Sequence, residues 1–243
     1  MEREIKVAAD LPSLAIEAAE RMTEAVNRAA DERSRFSVAL SGGHTPQSLY
    51  HLLADKRYRS AIPWDRIEIY FGDERCVPPD SDQSNFRMAN EALLSKVPIP
   101  ANQIHRMRGE IDPQLAAREY GELLKANFGD EGLDLVWLGM GDDGHTASLF
   151  PGTQALHEQK HRCVANHVEK LDTWRLTMTA PFINRAREVM ILISGAEKAQ
   201  RLHEVLEGPR DPDRLPIQLI EPTGGKLVWL IDAAAGGMNT LDE

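Results

Sequence analysis

Short, almost wholly apolar segments alternate with amphipathic helical segments along most of this chain of 243 residues. The clearest are FSVAL (36–40), LDLVWLG (133–139), EVMILIS (188–194) and KLVWLID (226–232). Strands that are apolar at nearly every position are typical of a parallel sheet with both faces covered by helices. The pattern therefore predicts an α/β fold built on a mostly parallel sheet with helices on both faces.

The remaining secondary structure is predicted from periodicity and from helix-start signals. Three further strands are expected, at EIKVA (4–8), RIEIYFG (66–72) and TWRLTMT (173–179). Helices are expected after Asp10 as N-cap, through 48–54, from about 86 to 96, at 112–128 and from about 196 to 207. No repeat, low-complexity segment or linker interrupts the pattern, so we expect one domain over residues 1–243.

The charge and the cysteine content limit which partners the protein can bind and which compartment it can occupy. The chain has 28 Lys and Arg against 38 Asp and Glu, a net charge of -10. So acidic a chain is poorly suited to nucleic acid or an anionic membrane, and it binds a small anion only through locally gathered cations and backbone N–H groups. Cys76 and Cys163 have no paired spacing, no apolar run approaches the roughly 18 residues of a membrane helix, and the charged N-terminus lacks a secretory signal. We expect a cytoplasmic protein with reduced thiols.

Four of the predicted strands are followed at once by glycine-rich polar loops. The loops are SGGHTP (41–46), GDER (72–75), GMGDDGH (139–145) and SGAEK (194–198). Because the carboxyl ends of parallel strands lie along one edge of a sheet, where open α/β folds bind ligands, these loops are expected to share one site. Turns alone would explain the glycines, but they would not require Arg75, His145 and Lys198 just after three strand ends.

The first of these loops fits an oxyanion such as phosphate. The amides of Gly42, Gly43 and His44, with the Thr45 hydroxyl, are the groups that would bind it, and Pro46 fits a first helical turn. A tight strand-to-helix turn without a ligand would use the same residues.

The other loops supply a candidate base and candidate cations. Histidine is the side chain best suited to exchange a proton near neutral pH, which favours His145 as a general base over a capping histidine. Arg175 in TWRLTMT and Lys198 are candidate phosphate partners, Arg as a planar fork and Lys as a point charge. The carboxylates beside Arg75 would orient a polar substrate, although a surface salt-bridge cluster would have the same sequence.

Gly139, Gly141 and Gly144 form a literal G-x-G-x-x-G, the pattern of a dinucleotide-binding turn. Such a turn begins a helix, and an acidic residue follows about 20 positions later. Here Pro151-Gly152 follows almost at once, and 160–166 contains no Asp or Glu. The context argues against a dinucleotide site.

The segment HEQKHRCVANH (157–167) contains H-E-x-x-H, a zinc-protease pattern. The extended form of that pattern needs a glycine where this chain has Val164, a residue that resists positive φ. The upstream Pro151-Gly152 and the strand-like HRCVANHV also argue against the required helix. We therefore interpret 157–167 as a solvated histidine-rich loop and predict no metal site. Neither G-x-S-x-G nor G-x-x-x-x-G-K-[ST] occurs, which disfavours a serine α/β-hydrolase and a P-loop.

Taken together and in this order, the motifs resemble those of the 6-phosphogluconolactonases. SGGHTP resembles the family's SGGSTP loop, FGDERCVPPDSDQSN its DER…SN segment, and GMGDDGHTASLFPG its G-x-G-x-DGH-x-ASLFPG signature. WRLTMTAPFINRAREVMILISGAEKA is similar to its R-x-T-x-T…N-x-A-x-x-V…G-x-x-KA stretch, and KLVWLIDAAA to its W-x-x-D-x-AA. The match spans roughly residues 40 to 235, with one departure at His44, where the family usually has a small hydroxyl residue.

The resemblance implies a Rossmann-like open sheet of the glucosamine-6-phosphate deaminase and ribose-5-phosphate isomerase type, without a dinucleotide or other cofactor. It implies a monomeric, metal-independent carboxylic ester hydrolase that converts 6-phospho-D-glucono-1,5-lactone to 6-phospho-D-gluconate, the second step of the oxidative pentose phosphate pathway. The alternatives are a deaminase or isomerase on the same fold and a non-catalytic sugar-phosphate sensor. The deaminases typically continue DGH with an N-E-P-type sequence, whereas this chain continues with ASLFP, and a sensor would ordinarily carry a DNA-binding segment.

The residues and the resemblance lead to one hypothesis for the site. His145 would be the general base on a water that attacks C1, and Arg75, held by Asp73 or Glu74, would stabilise the oxyanion or orient the lactone hydroxyls. Catalysis is thus assigned to His145, Arg75 and Asp73. Substrate binding is assigned to Gly42, Gly43, His44, Thr45, Asp143, Gly144, Arg175 and Lys198.

Overall fold

The computed structural model describes residues 2–32 and 35–237. The strands are β1 (Glu2–Ala8), β2 (Phe36–Leu40), β3 (Ile67–Phe71), β4 (Asp73–Arg75), β5 (Leu135–Leu138), β6 (Cys163–Val168), β7 (Thr173–Met178), β8 (Glu188–Ile193) and β9 (Lys226–Asp232). The helices are α1 (Leu11–Glu32), α2 (His44–Ala54), α3 (Lys56–Ala61), α4 (Asn85–Ala89), α5 (Pro113–Phe128), α6 (Ala180–Ile183) and α7 (Ala199–Glu207). Every predicted strand is present, with ends that differ by up to two residues.

The main sheet has six strands in the order β1-β9-β8-β5-β2-β3. All of its neighbouring strands pair in parallel, which confirms the predicted open α/β sheet. β3 pairs with one side of β2, and β5 pairs with the other side of β2. The strand order therefore reverses between β2 and β5. The crevice outside the carboxyl ends of the strands at such a reversal is where open α/β folds bind ligands.

The apolar sequence of the central strands follows from their burial on both faces. Every residue of β2, β3 and β5 is buried, and these strands belong to a single hydrophobic cluster that extends from Leu14 to Ala235. β1, at one edge of the sheet, is instead exposed at most positions and carries charged side chains, which discourage edge-to-edge pairing.

A second, antiparallel sheet of three strands was not predicted. Its order is β4-β7-β6, so the predicted strand 173–179 lies outside the main sheet, and the strand-like HRCVANHV forms β6. Only Gly72 separates β3 from β4: its N–H donates to the Leu40 carbonyl, and its own carbonyl accepts from Met178. The second sheet places Arg75 directly opposite Arg175, a pairing that periodicity does not reveal in a strand of three residues.

Two helix starts differ from the sequence prediction in ways that affect the site. α2 begins at His44, directly after the glycine pair, so Pro46 lies in its first turn as expected, and the helix begins before the predicted segment 48–54. α7 begins at Ala199, because Ala196–Lys198 forms a 3₁₀ turn. Within residues 2–32 and 35–237, no helix is both long and apolar enough to cross a membrane.

Candidate active site

The four polar loops meet in one cavity of about 370 Å³ at the carboxyl edge of the main sheet. The prediction that they share one edge is therefore confirmed. The cavity wall includes eight of the predicted site residues, namely Gly42, Gly43, His44, Thr45, Asp73, Arg75, His145 and Lys198.

The loop SGGHTP (41–46), which we call the glycine loop, presents unpaired backbone donors to this cavity. Gly43, at φ 103°, is the N-cap of α2, a conformation that a residue with a Cβ rarely adopts. In the described part of the chain the amides of Gly43, His44 and Thr45 donate to no acceptor. Free N–H groups and the positive end of the helix dipole make such a terminus suited to an anion.

Tyr50 anchors the start of the glycine loop through Ser41. The phenol of this fully buried residue donates to the Ser41 carbonyl at 2.8 Å and accepts from the Ser41 N–H at 2.9 Å. Burial raises the pKa of Tyr50 well above its ordinary value, because charging the phenol there would cost hydration free energy. The neutral phenol therefore fixes the point where β2 passes into the loop.

We expect Tyr50→Phe to lower the free energy of unfolding by about 1–3 kcal/mol, because both backbone groups of Ser41 would stay buried without a partner. Urea unfolding of the variant measures the change. The matched control is Tyr70→Phe. Among the described residues Tyr70 accepts one hydrogen bond, from Asn127, and its loss should cost about 1 kcal/mol. Equal losses in the two variants would contradict the anchoring role of Tyr50.

His145 is held by contacts on several sides. Its Nδ1 lies 2.5 Å from Asp143 Oδ1, and its ring stacks on Phe150 at a centroid distance of 4.1 Å. A Cβ at Gly141 would lie 2.1 Å from the imidazole, so only glycine leaves room for the ring. The bond to His145 lowers the pKa of Asp143, which is therefore an anion that accepts the Nδ1 proton. This arrangement leaves Nε2 as the basic nitrogen.

Asp143 also interacts with Lys170, whose Nζ lies 3.6 Å from Oδ2. One carboxylate oxygen thus faces the imidazole and the other faces a cation. Asp143 was predicted to bind substrate, but it is absent from the wall of the cavity among the described residues. The geometry instead makes it the residue that orients His145.

The two carboxylates of GDER do not hold the guanidinium of Arg75, contrary to the prediction. Asp73 accepts from Ser148 Oγ at 2.6 Å and from Asn85 Nδ2 at 3.1 Å. Arg75 Nη1 donates to the carbonyl of Gln83, which ties the side chain to the loop before α4. Asp73 therefore joins the wall of the cavity to neighbouring loops.

Glu74 is a structural residue of the same loop. It is 3% exposed, and its oxygens accept from the N–H groups of Arg75, Asn85 and Phe86 and from Ser84 Oγ. Burial raises the pKa of Glu74, while the backbone donors act in the opposite direction. These bonds fix the start of α4 against β4.

Arg175 and Gly144 lie outside the cavity wall as the described residues define it. Arg175 is opposite Arg75 in the second sheet, its Nε is buried without a partner, and burial together with Arg75 lowers its pKa. Gly144 has φ 79°, and a Cβ there would lie 2.7 Å from Leu215 Cδ2. Gly144 therefore serves the turn and its packing.

Lys198 reaches the cavity from the loop after β8 and forms an ion pair with the exposed Asp142, whose pKa it lowers. The loop itself is fixed by Asp232 at the end of β9. This buried carboxylate accepts from Ser194 Oγ at 2.6 Å and from the Gly195 N–H at 3.1 Å. Asp232 thus sets the turn that brings Lys198 to the cavity.

Sequence reasoning missed several residues that shape the site, among them Asn85, Glu197 and Ser148. Asn85 packs over the glycine loop, because a Cβ at Gly42 would lie 2.0 Å from Asn85 Oδ1. Glu197 belongs to the cavity wall, and Ser148 binds Asp73. Asn85 and Ser148 lie in motifs that carried the family resemblance, the only signal that marked them.

Of two other motifs, the first has the structure that the sequence analysis favoured. No helix begins within the described segment 139–144, as a dinucleotide turn would require; the chain there forms turns. The second, the H-E-x-x-H segment, is a solvated loop only in its first half, because 163–168 forms β6, in which Cys163 and Asn166 are buried. In this segment His157 and His161 are exposed and His167 lies in β6. No group of three or more His, Cys, Asp or Glu suited to a metal ion occurs within the described ranges.

The fold and the site together define a class of protein: an open parallel α/β sheet that has a histidine–aspartate pair and free helix-terminus amides where its strand order reverses. Residues 9–229 match the family described as glucosamine-6-phosphate isomerases/6-phosphogluconolactonase. The chain belongs to this family.

Individual relatives agree with that assignment. The chain is 42% identical to a 6-phosphogluconolactonase of Synechocystis, over 88% of this chain and 89% of the relative. It is 38% identical to one of Nostoc, over 97% and 98% of the two chains. The solved 6-phosphogluconolactonase of Trypanosoma brucei superposes with a TM-score of 0.86 at 27% identity, over 97% of this chain and 98% of that one.

Proposed function

We propose that this protein is a lactonase that hydrolyses 6-phospho-D-glucono-1,5-lactone to 6-phospho-D-gluconate in the pentose phosphate pathway. The observation that carries the proposal is the cavity that brings the Asp143-oriented imidazole of His145 together with the free amides of α2. The family and the names of the relatives support the same substrate.

In the proposed reaction His145 acts as general base through Nε2. It takes a proton from a water as the water oxygen attacks C1 of the lactone, and the C1 carbonyl becomes an oxyanion. When the C1–O5 bond breaks, the imidazolium returns the proton to the ring oxygen, and the products are the carboxylic acid and the free hydroxyl. Asp143 stabilises the imidazolium in between, as the buried acid of a hydrolytic triad does.

The 6-phosphate is bound by the amides of Gly43, His44 and Thr45 and by Lys198 in this proposal. Binding the remote phosphate places C1 against His145, so that binding energy is used for orientation. Arg75, in the wall of the same cavity, orients the lactone hydroxyls. Arg175, paired with Arg75 in the second sheet, adds positive potential rather than a direct contact.

We expect Lys198→Ala to raise KM for the phosphorylated lactone about 10- to 100-fold with a smaller change in kcat, since a hydrogen bond to a charged group contributes about 1.5–3 kcal/mol. Steady-state kinetics of lactone hydrolysis measure both constants. Lys96→Ala, at an exposed position outside the cavity wall, is the matched control. An unchanged KM in Lys198→Ala would contradict the assignment of the phosphate site.

The proposed function is tested by following hydrolysis of freshly generated 6-phosphogluconolactone, with the spontaneous rate subtracted. We expect rapid turnover of this lactone and no ammonia release from glucosamine 6-phosphate. Ammonia release would identify a deaminase, and ligand binding without turnover would identify a sensor.

Metal independence is part of the proposal, because a lactone is an activated ester that a positioned base and water are sufficient to hydrolyse. We expect the same rate with and without a chelator. We further propose that the chain acts as a monomeric single domain in the cytoplasm. The single hydrophobic cluster among the described residues supports one domain, and the free thiols of Cys76 and Cys163 are typical of a reducing compartment.

A further inference from the structure

Ala147, in the cavity wall, has an unfavourable backbone conformation. Its φ is 47°, in the left-handed region. The only other described residue with a side chain at positive φ is Asp172, in the turn between β6 and β7. Left-handed backbone is costly for a residue with a Cβ, and such strain persists only where the surroundings impose it, often at functional sites.

The neighbours of Ala147 are fixed from both sides. Thr146 Oγ1 donates to the Gly139 carbonyl at 2.8 Å. Ser148 donates its N–H to Thr177 Oγ1 at 3.2 Å and its hydroxyl to Asp73 Oδ2 at 2.6 Å. These bonds anchor the residues before and after Ala147 to different parts of the fold, so the strained conformation is imposed and rigid.

The backbone N–H of Ala147 donates to no acceptor within the described ranges. Several N–H groups around it are paired: His145 donates to Asp143, Ser148 to Thr177 and Leu149 to the carbonyl of Thr146. The N–H of Thr146 also donates to no acceptor within the described ranges, but Thr146 lacks the left-handed backbone of Ala147. An N–H without a partner is uncommon in a folded chain unless water or a ligand takes its place. Ala147 belongs to the wall of the cavity, so a ligand bound there would lie against this residue.

We propose that the N–H of Ala147 donates to the oxyanion that develops on the lactone carbonyl, an inference that rests on the proposed lactonase function. Only one residue separates Ala147 from His145, so their Cα atoms lie within about 7 Å. A base and an oxyanion donor must both approach the same carbonyl carbon, and this spacing permits it. A donor held rigidly by its neighbours stabilises developing charge without reorganising.

The chemistry assigns the donor a role in the transition state. As water attacks C1, the carbonyl π electrons move to the carbonyl oxygen, the water proton moves to His145 Nε2, and the Ala147 N–H binds the new negative charge. Collapse of the intermediate restores the C=O bond and releases the ring oxygen, which receives the proton from His145. The donor is therefore expected to affect kcat more than KM.

The test is an amide-to-ester substitution, with L-lactic acid incorporated in place of Ala147 in the full chain. This change keeps the side chain and replaces the N–H by oxygen. We expect kcat to fall about 10²–10³-fold, the usual effect of removing one oxyanion donor, with KM changed by less than about threefold. A folded ester protein with kcat within about fivefold of the unmodified protein would overturn the proposal.

The ester also weakens the Thr146 carbonyl, which accepts from the Leu149 N–H at 2.9 Å. The control is the α-hydroxy analogue of leucine at position 149, which removes that same hydrogen bond and leaves the Ala147 N–H in place. We expect this control to keep at least a tenth of the unmodified kcat. A loss as large as that of the position-147 ester would mean that loop structure, rather than the donor, is responsible.

A measurement on the unmodified protein covers the case in which the ester protein does not fold. In protein labelled with ¹⁵N-alanine, 6-phosphogluconate is added as the probe, because its carboxylate places negative oxygen where the oxyanion would form. We expect a downfield proton shift at Ala147 and none at Ala235, whose N–H is bound to Asp232 at 2.7 Å. An unmoved Ala147 resonance at saturation would overturn the proposal, whereas absent lactone turnover in the unmodified protein would overturn the proposed function itself.

Discussion

His145→Ala is expected to lower kcat for lactone hydrolysis about 10²–10⁴-fold, the range that a positioned general base contributes. The substitution removes the only described histidine whose ring both contacts a carboxylate and lies in the wall with the glycine loop. The change in fold should be small, because the imidazole is partly exposed. Initial rates at saturating lactone, corrected for spontaneous hydrolysis, measure the effect.

The control is His161→Ala, because His161 also contacts a carboxylate, Glu158, but it is far more exposed and lies outside the cavity wall. We expect this variant to keep the parental kcat. His145→Ala with near-parental turnover and an unchanged melting temperature would remove His145 from the mechanism.

Asp143→Asn is expected to lower kcat about 10²–10⁴-fold while leaving KM nearly unchanged. Asparagine has the same shape, but it lacks the charge that fixes the Nδ1 proton and stabilises the imidazolium. The neighbouring Asp142→Asn is a closely matched control, since Asp142 is exposed and pairs with Lys198 instead of the imidazole. Its kcat should stay within about threefold of the parent.

The double variant distinguishes orientation from an independent effect. If Asp143 acts through the imidazole, His145→Ala combined with Asp143→Asn should cost no more than His145→Ala alone, because residues that act as a unit are not additive. Additive losses would show that Asp143 contributes through some other contact, such as its ion pair with Lys170.

The location of the site was predictable because it depends on sheet geometry. Four parallel strands with apolar sequences place their following loops at one edge, whatever the details of each loop. His145 and Lys198 are therefore in the same wall, as predicted. The roles of Asp143 and Arg175 were not predictable in this way, because they depend on how a glycine-rich turn folds back and on a second sheet that begins with three residues.

Backbone strain was also outside the reach of sequence patterns. Nothing in the letters TASLF marks Ala147 as left-handed, since the hydrogen bonds that impose this conformation come from Asp73 and Thr177, more than 25 positions away on either side. The need for glycine at position 141 has a different cause from the strain at Ala147. A Cβ at Gly141 would lie 2.1 Å from the imidazole of His145. The sequence showed the glycine but not the ring that requires it.

The reversal of strand order between β2 and β5 also has a consequence for how activity is lost. The cavity draws its wall from segments between Ser41 and Lys198, most of which follow the carboxyl ends of β2, β3, β5 and β8. No pair of neighbouring strands assembles the whole wall. Inactivation on heating should thus coincide with cooperative melting of the whole sheet, and catalytic turnover should report on the integrity of the entire fold.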